Sequence, residues 1–324
     1  MPATVGRLAP SPTGLLHLGH ARSFLLAWWS VRAQDGSMLL RMEDLDESRV
    51  KEGMADQVLR DLEWLGLDWD GAVTWQSERG ELYDAALLEL HEAGLLYPCV
   101  CTRKEIELAQ SAPHASDATR AYPGTCEGRF ESLAEAEESS ERPAALRLRV
   151  PPGAIPFEDL IAGPQSFDIA AEEGDFPVAK RDGAPAYQLA VVVDDAAQGV
   201  TEILRGDDLL PSTARQALLQ SALDLPRPIW IHVPLVTDAT GRRLAKRSDD
   251  LSLAALRDAG TDPARIVEWV AASAGMAPTA PLTATEAIPL FDLERIPRTP
   301  TPIALDAPLE LPQNPPSAPP PEGR

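Results

Sequence analysis

The alternation of apolar segments constrains the fold of this chain more than any other feature. "TVGRLAP" (residues 4–10) reads as a short strand and "LGHARSFLLAWWSVRAQDG" (18–36) as a helix. "SMLLRMED" (37–44) follows as a buried strand. "KEGMADQVLRDLEWLG" (51–66) carries Val58, Leu59, Leu62 and Leu65 at helical spacing, with Gly66 placed to end the helix. Strand, helix, strand, helix at this pace predicts a parallel sheet in an α/β fold. The pattern resumes far downstream at "YQLAVVVDD" (187–195), "VTEILRGDD" (200–208) and "IWIHVPLVTD" (229–238), all read as strands. Their near-continuous apolar runs suit strands covered on both faces. "STARQALLQSALD" (212–224) reads as a helix, as do "SLAALRDAG" (252–260) and "DPARIVEWVAASAG" (262–275), the last with Asp262 as N-cap and Pro263 in the first turn.

Between the two halves the pattern breaks. Residues 72–185 hold one clear helix, "ELYDAALLELHEAGLL", then a polar stretch, "SAPHASDATRA", an acidic run, "ESLAEAEESSE", and an alternating segment, "AALRLRV", expected as an edge or hairpin strand. This range reads as an insertion with its own small core. The final stretch, "APLELPQNPPSAPPPEGR", is too proline-rich to pack and reads as a disordered tail.

Composition narrows the class. Of 324 residues, 44% are hydrophobic and 24% charged, as in soluble globular proteins. The N-terminus has no apolar leader and no run approaches a membrane span, so a cytoplasmic protein without a membrane partner is expected. A formal charge of −21 argues against a non-specific grip on polyanions. The only lysines are Lys51, Lys104, Lys180 and Lys246. The basic side chains are therefore mostly arginines, which suit forked recognition of carboxylates and phosphates. A nucleic-acid partner has to be met through a local patch.

Polar residues fall where an open parallel sheet binds ligands, beyond the carboxyl ends of its strands. Arg7 lies in the first strand, Glu43 closes "LLRME", Asp194 and Asp195 close "LAVVVDD", and Arg205 closes "VTEILR". Two arginines with Glu43 and Tyr187 describe a receptor for a small zwitterion bearing carboxylates; the alternative is a set of surface charges at loop edges. The loop "RLAPSPTGLLHLGH" runs into a helix N-terminus, which favours an anion, and places His17 and His20 on the first turn, where they can donate to phosphate or simply cap the helix. The three cysteines, Cys99, Cys101 and Cys126, fit a metal site in a reducing compartment better than a disulfide framework. Ligand chemistry alone nominates His114 as the fourth ligand. Trp28, Trp29, Trp64 and Trp69 read as packing residues and His91 as a helix-terminal charge. His232 either lines a nucleotide pocket or is a hydrogen-bonded structural histidine.

These residues carry a resemblance. "RLAPSPTGLLHLGHAR" resembles the opening of the glutamate-specific class I aminoacyl-tRNA synthetases, whose HIGH motif corresponds to His17, Leu18, Gly19 and His20. "RLAKR" (243–247) resembles their KMSKS signature, and "RMEDLD", "YQLAVVVDD" and "VTEILRGDDLL" match in the same order. Fewer than 80 residues follow Arg247, so the helical anticodon-binding region of a full glutamyl-tRNA synthetase is not expected here. The pattern "YPCVCTRKE…YPGTC" looks like the zinc site of the truncated paralogues, the glutamyl-queuosine tRNA(Asp) synthetases.

That resemblance implies a Rossmann-type sheet split by a zinc-binding insertion and followed by a short helical segment. The divisions expected are 1–71 (first half, with the HIGH motif), 72–185 (insertion), 186–240 (second half), 241–305 (KMSKS-like loop and helices) and 306–324 (tail). It implies a monomer that activates glutamate with ATP and Mg²⁺, without needing tRNA, and transfers it to queuosine in the anticodon loop of tRNA(Asp). Arg7, Ser11, Glu43, Tyr187 and Arg205 would contact glutamate. His17, Gly19, His20, Arg243 and Lys246 would contact ATP, with His17, His20 and Lys246 acting on the phosphates. Cys99, Cys101, Tyr122 and Cys126 would hold one structural Zn²⁺, with His114 as the other candidate for the fourth position. Arg243 stands where lysine is usual and Ala245 lacks a serine hydroxyl, so weakened phosphate contacts are expected. Two other readings are a truncated or discriminating glutamyl-tRNA synthetase and a non-catalytic RNA-binding paralogue.

Overall fold

The computed structural model describes residues 3–110, 121–238 and 251–303. His114, Arg243, Ala245, Lys246 and the proline-rich tail lie outside the described residues. Strand β1 (Val5–Leu8) leads through the glycine–proline loop into helix α1 (Leu18–Arg32), and β2 (Ser37–Met42) pairs parallel to β1 with Arg7 opposite Leu39. Helix α2 (Met54–Trp64) ends as its sequence predicts. Gly66 is left-handed at φ 79°, and the Leu67 N–H bonds back to the Leu62 carbonyl at 3.0 Å. A short β3 (Thr74–Trp75) adds parallel to β2, and α3 (Gly80–Glu92) follows.

The middle of the chain builds a second, antiparallel sheet. Its elements in order are β4 (Leu96–Cys99), α4 (Arg103–Gln110), α5 (Leu133–Ser140), β5 (Ala145–Leu148), β6 (Ile155–Asp159), β7 (Gly163–Phe167), α6 (Ile169–Glu172) and β8 (Phe176–Ala179). The acidic run contains α5, started by Ser132, whose hydroxyl accepts from Glu135 N–H at 3.2 Å. Strand β5, expected at an edge or in a hairpin, is instead the centre of the order β4-β5-β8. Alternation reports which residues share a face of a strand; it carries no count of neighbours. The hairpin β6–β7 joins a different sheet, in which β6 runs parallel to β10.

The segment "YQLAVVVDD", read as a strand, is helix α7 (Tyr187–Ala197). A fully apolar run suits a strand buried on both faces and a helix buried all round equally well. Here Gln188 to Asp195 are all buried, and Leu189, Ala190, Val192 and Val193 sit in one core with Tyr83 and Leu90 of α3. Asp194 and Asp195 therefore close a helix, not a strand.

After β9 (Glu202–Gly206) come α8 (Leu210–Ala222), β10 (Ile229–Val233) and β11 (Val236–Asp238). Helices α9 (Leu253–Asp258), α10 (Pro263–Ser273) and α11 (Ala284–Ala287) lead to β12 (Thr301–Ile303), which returns to pair parallel with β11. Asp262 caps α10, its carboxylate accepting from Ala264 N–H at 3.0 Å. The parallel strands lie in the orders β1-β2-β3 and β7-β6-β10-β9, where only the β6–β7 pair is antiparallel. The two sheets meet where Thr201 N–H donates to the Val5 carbonyl at 2.9 Å.

One core fills the space around α1, β1, β2, α2 and α10. It includes the buried Trp28 and Trp29, and the partly buried Trp64 and Trp69 pack against it. A second core lies under α7 and α8, and a small separate one gathers Tyr97, Cys99, Val100, Tyr122, Cys126, Phe130, Ala136 and Ala144. Among the described residues, no helix is long and apolar enough to cross a membrane.

Candidate active site and metal centre

The first turn of α1 uses both histidines to cap itself. His17 is the N-cap, and its Nδ1 accepts the Gly19 N–H at 3.1 Å; His20 sits three residues on, and its Nδ1 accepts the His17 N–H at 3.2 Å. A ring nitrogen that accepts a backbone N–H carries no proton, so each neutral imidazole holds its proton on Nε2. The ring centroids lie 3.8 Å apart, with the planes tilted by 30°. Capping and phosphate donation, set against each other in the sequence, are thus compatible: the cap fixes which nitrogen is the donor. Gly19 lies under this arrangement, where an added Cβ would stand 3.0 Å from the His17 ring.

A cleft of about 500 Å³ opens beside this turn, at the carboxyl ends of β1, β2 and β9. Its wall includes Arg7, Ser11, His17, Gly19, His20, Glu43, Tyr187 and Arg205, so every described candidate for the glutamate and nucleotide sites faces one space. Val236 lines the cleft, and Ser252 makes a β-bridge to His17.

The two arginines are held differently. Arg7 is buried and its Nε donates to Asp195 at 3.3 Å. Arg205 is buried, with Nε donating to His232 Nε2 at 2.9 Å and Nη2 to Thr213 Oγ1 at 2.8 Å and Gln216 Oε1 at 2.7 Å. Its Nη1 is buried and has no hydrogen-bond partner among the described residues. An unpaired guanidinium nitrogen is costly to bury, and an anionic ligand in the cleft would satisfy it. His232 is the structural histidine of the two options the sequence left open. It does not line the cleft, and its Nδ1 lies 2.6 Å from Asp159 Oδ2. Burial, outweighing the pull of Asp159, pushes its imidazole below the ordinary value and keeps the ring neutral at pH 7.

Charge in the floor of the cleft is balanced by a residue the sequence reading passed over. Arg41, in the middle of β2, is fully buried. It donates from Nη1 to Asp195 at 2.7 Å and from Nη2 to Glu43 at 3.4 Å, and its Nε lies 3.8 Å from Asp194. Burial opposes its charge, but Asp195, Glu43 and Asp194 overcome it and raise its pKa. Asp195, also buried, is held below the usual carboxylate range because Arg41 and Arg7 outweigh desolvation. Asp194 is tied down by Arg79 Nε at 2.5 Å, Gln76 at 2.7 Å and the Tyr83 hydroxyl at 2.9 Å. Burial pushes Glu43 up in spite of Arg41 and Arg7. Tyr187, at the start of α7, is exposed and lines the cleft, and its phenol is protonated at neutral pH as in any tyrosine with a pKa of about 10. It is therefore a hydrogen-bond donor at neutral pH. A charged residue inside the apolar run "LLRM" was the available signal for Arg41, since such a residue has to find a buried partner.

The cysteines form the second cluster. The three thiol sulfurs lie within 4.8 Å of one another, with Cys101 Sγ 3.4 Å from Cys126 Sγ. The Tyr122 hydroxyl stands 3.4 Å from Cys99 Sγ and 3.5 Å from Cys101 Sγ, and accepts the Cys126 N–H at 3.0 Å. A tetrahedral ion with bonds of about 2.0–2.3 Å has ligand–ligand edges of about 3.3–3.8 Å, so three thiols and a phenol at these separations fit a four-coordinate metal. Arg147 Nε donates to Cys99 Sγ at 3.2 Å, and its guanidinium lies 3.7 Å over the Tyr122 ring, which places a cation beside the donor set. Gly174 holds the tyrosine loop in place: it is left-handed at φ 70°, and a Cβ there would stand 2.6 Å from the Tyr122 carbonyl oxygen.

Residues 3–293 match the family model of the catalytic domain of class I tRNA synthetases for glutamate and glutamine. The chain is 47% identical over 305 residues to the glutamyl-Q tRNA(Asp) synthetase of Symbiobacterium thermophilum, covering 91% of this chain and 94% of that one. It is 50% identical over 257 residues to the glutamyl-Q tRNA(Asp) synthetase of Geobacter sulfurreducens, covering 79% and 80%. Among solved structures, a glutamate tRNA ligase from Elizabethkingia meningosepticum, in complex with its amino acid, superposes with a TM-score of 0.80 at 27% identity. That match covers 92% of this chain and 66% of the ligase.

Proposed function

The chain belongs to the class I synthetases for glutamate and glutamine, and within them to the glutamyl-Q tRNA(Asp) synthetase family, and from that membership we propose that it activates glutamate with ATP and transfers the glutamyl group to queuosine in tRNA(Asp). The observation that carries the reading is the pair of buried arginines at one cleft with Glu43 between charges, one guanidinium nitrogen of Arg205 still unpaired. Two carboxylates and one ammonium are what such a site accepts, and glutamate carries that set. Arg7 and Arg205 pair with the carboxylates, Glu43 with the ammonium, and Tyr187 and Ser11 donate hydrogen bonds at the rim.

In the activation step the α-carboxylate of glutamate attacks the α-phosphorus of ATP. The bond to the bridging oxygen breaks, and pyrophosphate leaves with its electrons. The protein contributes placement and charge. His17 and His20, proton on Nε2, donate to the phosphate oxygens over the backbone of Gly19 at the positive end of α1. Lys246 and Arg243 neutralise the departing pyrophosphate, and Mg²⁺ accompanies ATP as its counterion. A ring hydroxyl of queuosine then attacks the carbonyl of the glutamyl adenylate, and AMP leaves.

Cys99, Cys101, Cys126 and Tyr122 would hold one structural Zn²⁺, an ion that takes thiolate and oxygen donors. With four protein donors no position would be left open for substrate, and the ion would tie Tyr122 and Cys126 to Cys99 and Cys101 within the insertion that, on this reading, meets RNA. The division of the chain at 72 and 185 around this module, and action as a cytoplasmic monomer, belong to the same reading.

Glutamate-dependent exchange of pyrophosphate into ATP in the absence of any tRNA tests the activation step. Exchange with glutamate alone among the amino acids is the expected result; absence of exchange without tRNA would count against it. Lys246→Ala is expected to slow this exchange about a hundredfold, the scale of one transition-state charge contact, with little change in glutamate KM. An exchange rate equal to that of the unaltered protein would remove Lys246 from the mechanism.

A further inference from the structure

Arg205 is one member of a buried polar chain that starts at the far side of the sheet. Asp159, at the end of β6, accepts from the backbone N–H groups of Ile161 at 3.0 Å and Ala162 at 2.7 Å, which fixes its Oδ1. Its Oδ2 faces His232 Nδ1 at 2.6 Å and takes the His232 backbone N–H at 3.1 Å. His232 sits on β10, and its Nε2 faces the Nε of Arg205, on β9, at 2.9 Å. A guanidinium can only donate, so Nε2 has to be the accepting nitrogen and Nδ1 has to carry the proton given to Asp159. The direction of every bond in the chain is thereby set.

The consequence lies at the other end. With Nε fixed by His232 and Nη2 fixed by Thr213 and Gln216, only Nη1 of Arg205 is left without a partner among the described residues. We propose that Asp159 and His232 are positioning residues for glutamate: they fix the tautomer and orientation that hold Arg205 with Nη1 presented to the substrate carboxylate. This rests on the reading of Arg205 as a glutamate-binding residue. Neither Asp159 nor His232 lines the cleft; both act through Arg205, which His232 Nε2 meets directly and also by way of Thr213, whose Oγ1 lies 3.1 Å from that nitrogen.

The chemistry predicts a pattern that a merely structural role does not produce. In Asp159→Asn the side-chain oxygen stays with the backbone N–H groups of 161 and 162, which turns the amide NH₂ toward His232. Nδ1 then has to accept, the ring proton moves to Nε2, and it meets the Nε–H of Arg205 donor to donor. In His232→Leu the acceptor is absent. In His232→Gln an amide oxygen can reach the place of Nε2 and accept from Arg205.

The test is tRNA-independent pyrophosphate exchange on the full-length protein, with KM measured separately for glutamate and ATP and with thermal melting alongside. Asp159→Asn and His232→Leu are each expected to raise the glutamate KM about tenfold, the scale of one charged hydrogen bond, with the ATP KM within about twofold. The double variant is expected to be no worse than His232→Leu, because both changes break one chain. His232→Gln is expected to recover most of the loss. An unchanged glutamate KM in His232→Leu would overturn the proposal. So would glutamate and ATP constants that rise together with a fall in melting temperature and no recovery in His232→Gln. Arg205→Leu, measured in the same series, separates the premise: if it leaves the glutamate KM unchanged, the assignment of Arg205 itself is wrong.

Discussion

Asp195→Ala is expected to destabilise the protein by about 3–5 kcal/mol, the cost of stranding a buried charge by removing its partner. Asp195 neutralises two buried guanidinium groups at once, taking Arg41 Nη1 at 2.7 Å and Arg7 Nε at 3.3 Å. Without it Arg41 keeps Glu43 at 3.4 Å and Asp194 at 3.8 Å, while Arg7 loses its ion pair in the sheet floor. Two readouts should therefore move together: the denaturant midpoint falls and the glutamate KM rises. A midpoint within error of the unaltered protein would show that the network is dispensable. The same carboxylate gives a pH dependence of known sign. Its folded-state pKa lies below the ordinary value of about 3.9, so its contribution is complete above that pH and is lost as the pH falls through the lower, folded-state value. Denaturation curves for Asp195→Asn should thus converge on those of the unaltered protein in acid below about pH 4, and separate from them toward neutrality.

Cys126→Ser is expected to abolish metal retention and loosen a whole module while sparing the activation chemistry. The cysteine cluster sits in its own small core with Tyr97, Phe130 and Ala136, apart from the core that carries α1 and its histidines. A structural Zn²⁺ contributes about 10–16 kcal/mol of binding free energy in small zinc modules, and three residues of this core, Cys99, Tyr122 and Cys126, are themselves proposed ligands. Zinc content should fall from one equivalent to a trace, and limited proteolysis should cut between residues 96 and 150. Pyrophosphate exchange should survive, whereas transfer to tRNA should drop at least tenfold if, as proposed, this module meets RNA. A zinc-free variant that transfers glutamate to tRNA at the full rate would contradict the structural role of the metal.

What could be read from the sequence follows the range of the interactions. The histidine turn and the cysteine cluster were legible because their partners are near neighbours: His17 and His20 cap one turn, and Tyr122 and Cys126 share one loop. Arg7, Glu43 and Arg205 were legible because strand ends in a parallel sheet point to a common edge. Helix α7 was not, since "LAVVV" is as apolar as a doubly covered strand, and only packing against α3 and α8 decides its form. Arg41 and the chain from Asp159 through His232 were also out of reach. Their partners lie 154 and 73 residues away and are brought close by the fold alone.

The destination of the glutamyl group distinguishes a queuosine-modifying enzyme from a charging one. Radiolabelled glutamate, ATP with Mg²⁺ and the purified protein should be incubated with two matched tRNA pools, one containing queuosine and one lacking it, with periodate oxidation of the 3′ ends as a control. Label confined to tRNA(Asp) of the queuosine-containing pool, and insensitive to the state of the 3′ end, is the predicted result. Label on tRNA(Glu) in both pools would contradict it and make the protein a charging enzyme.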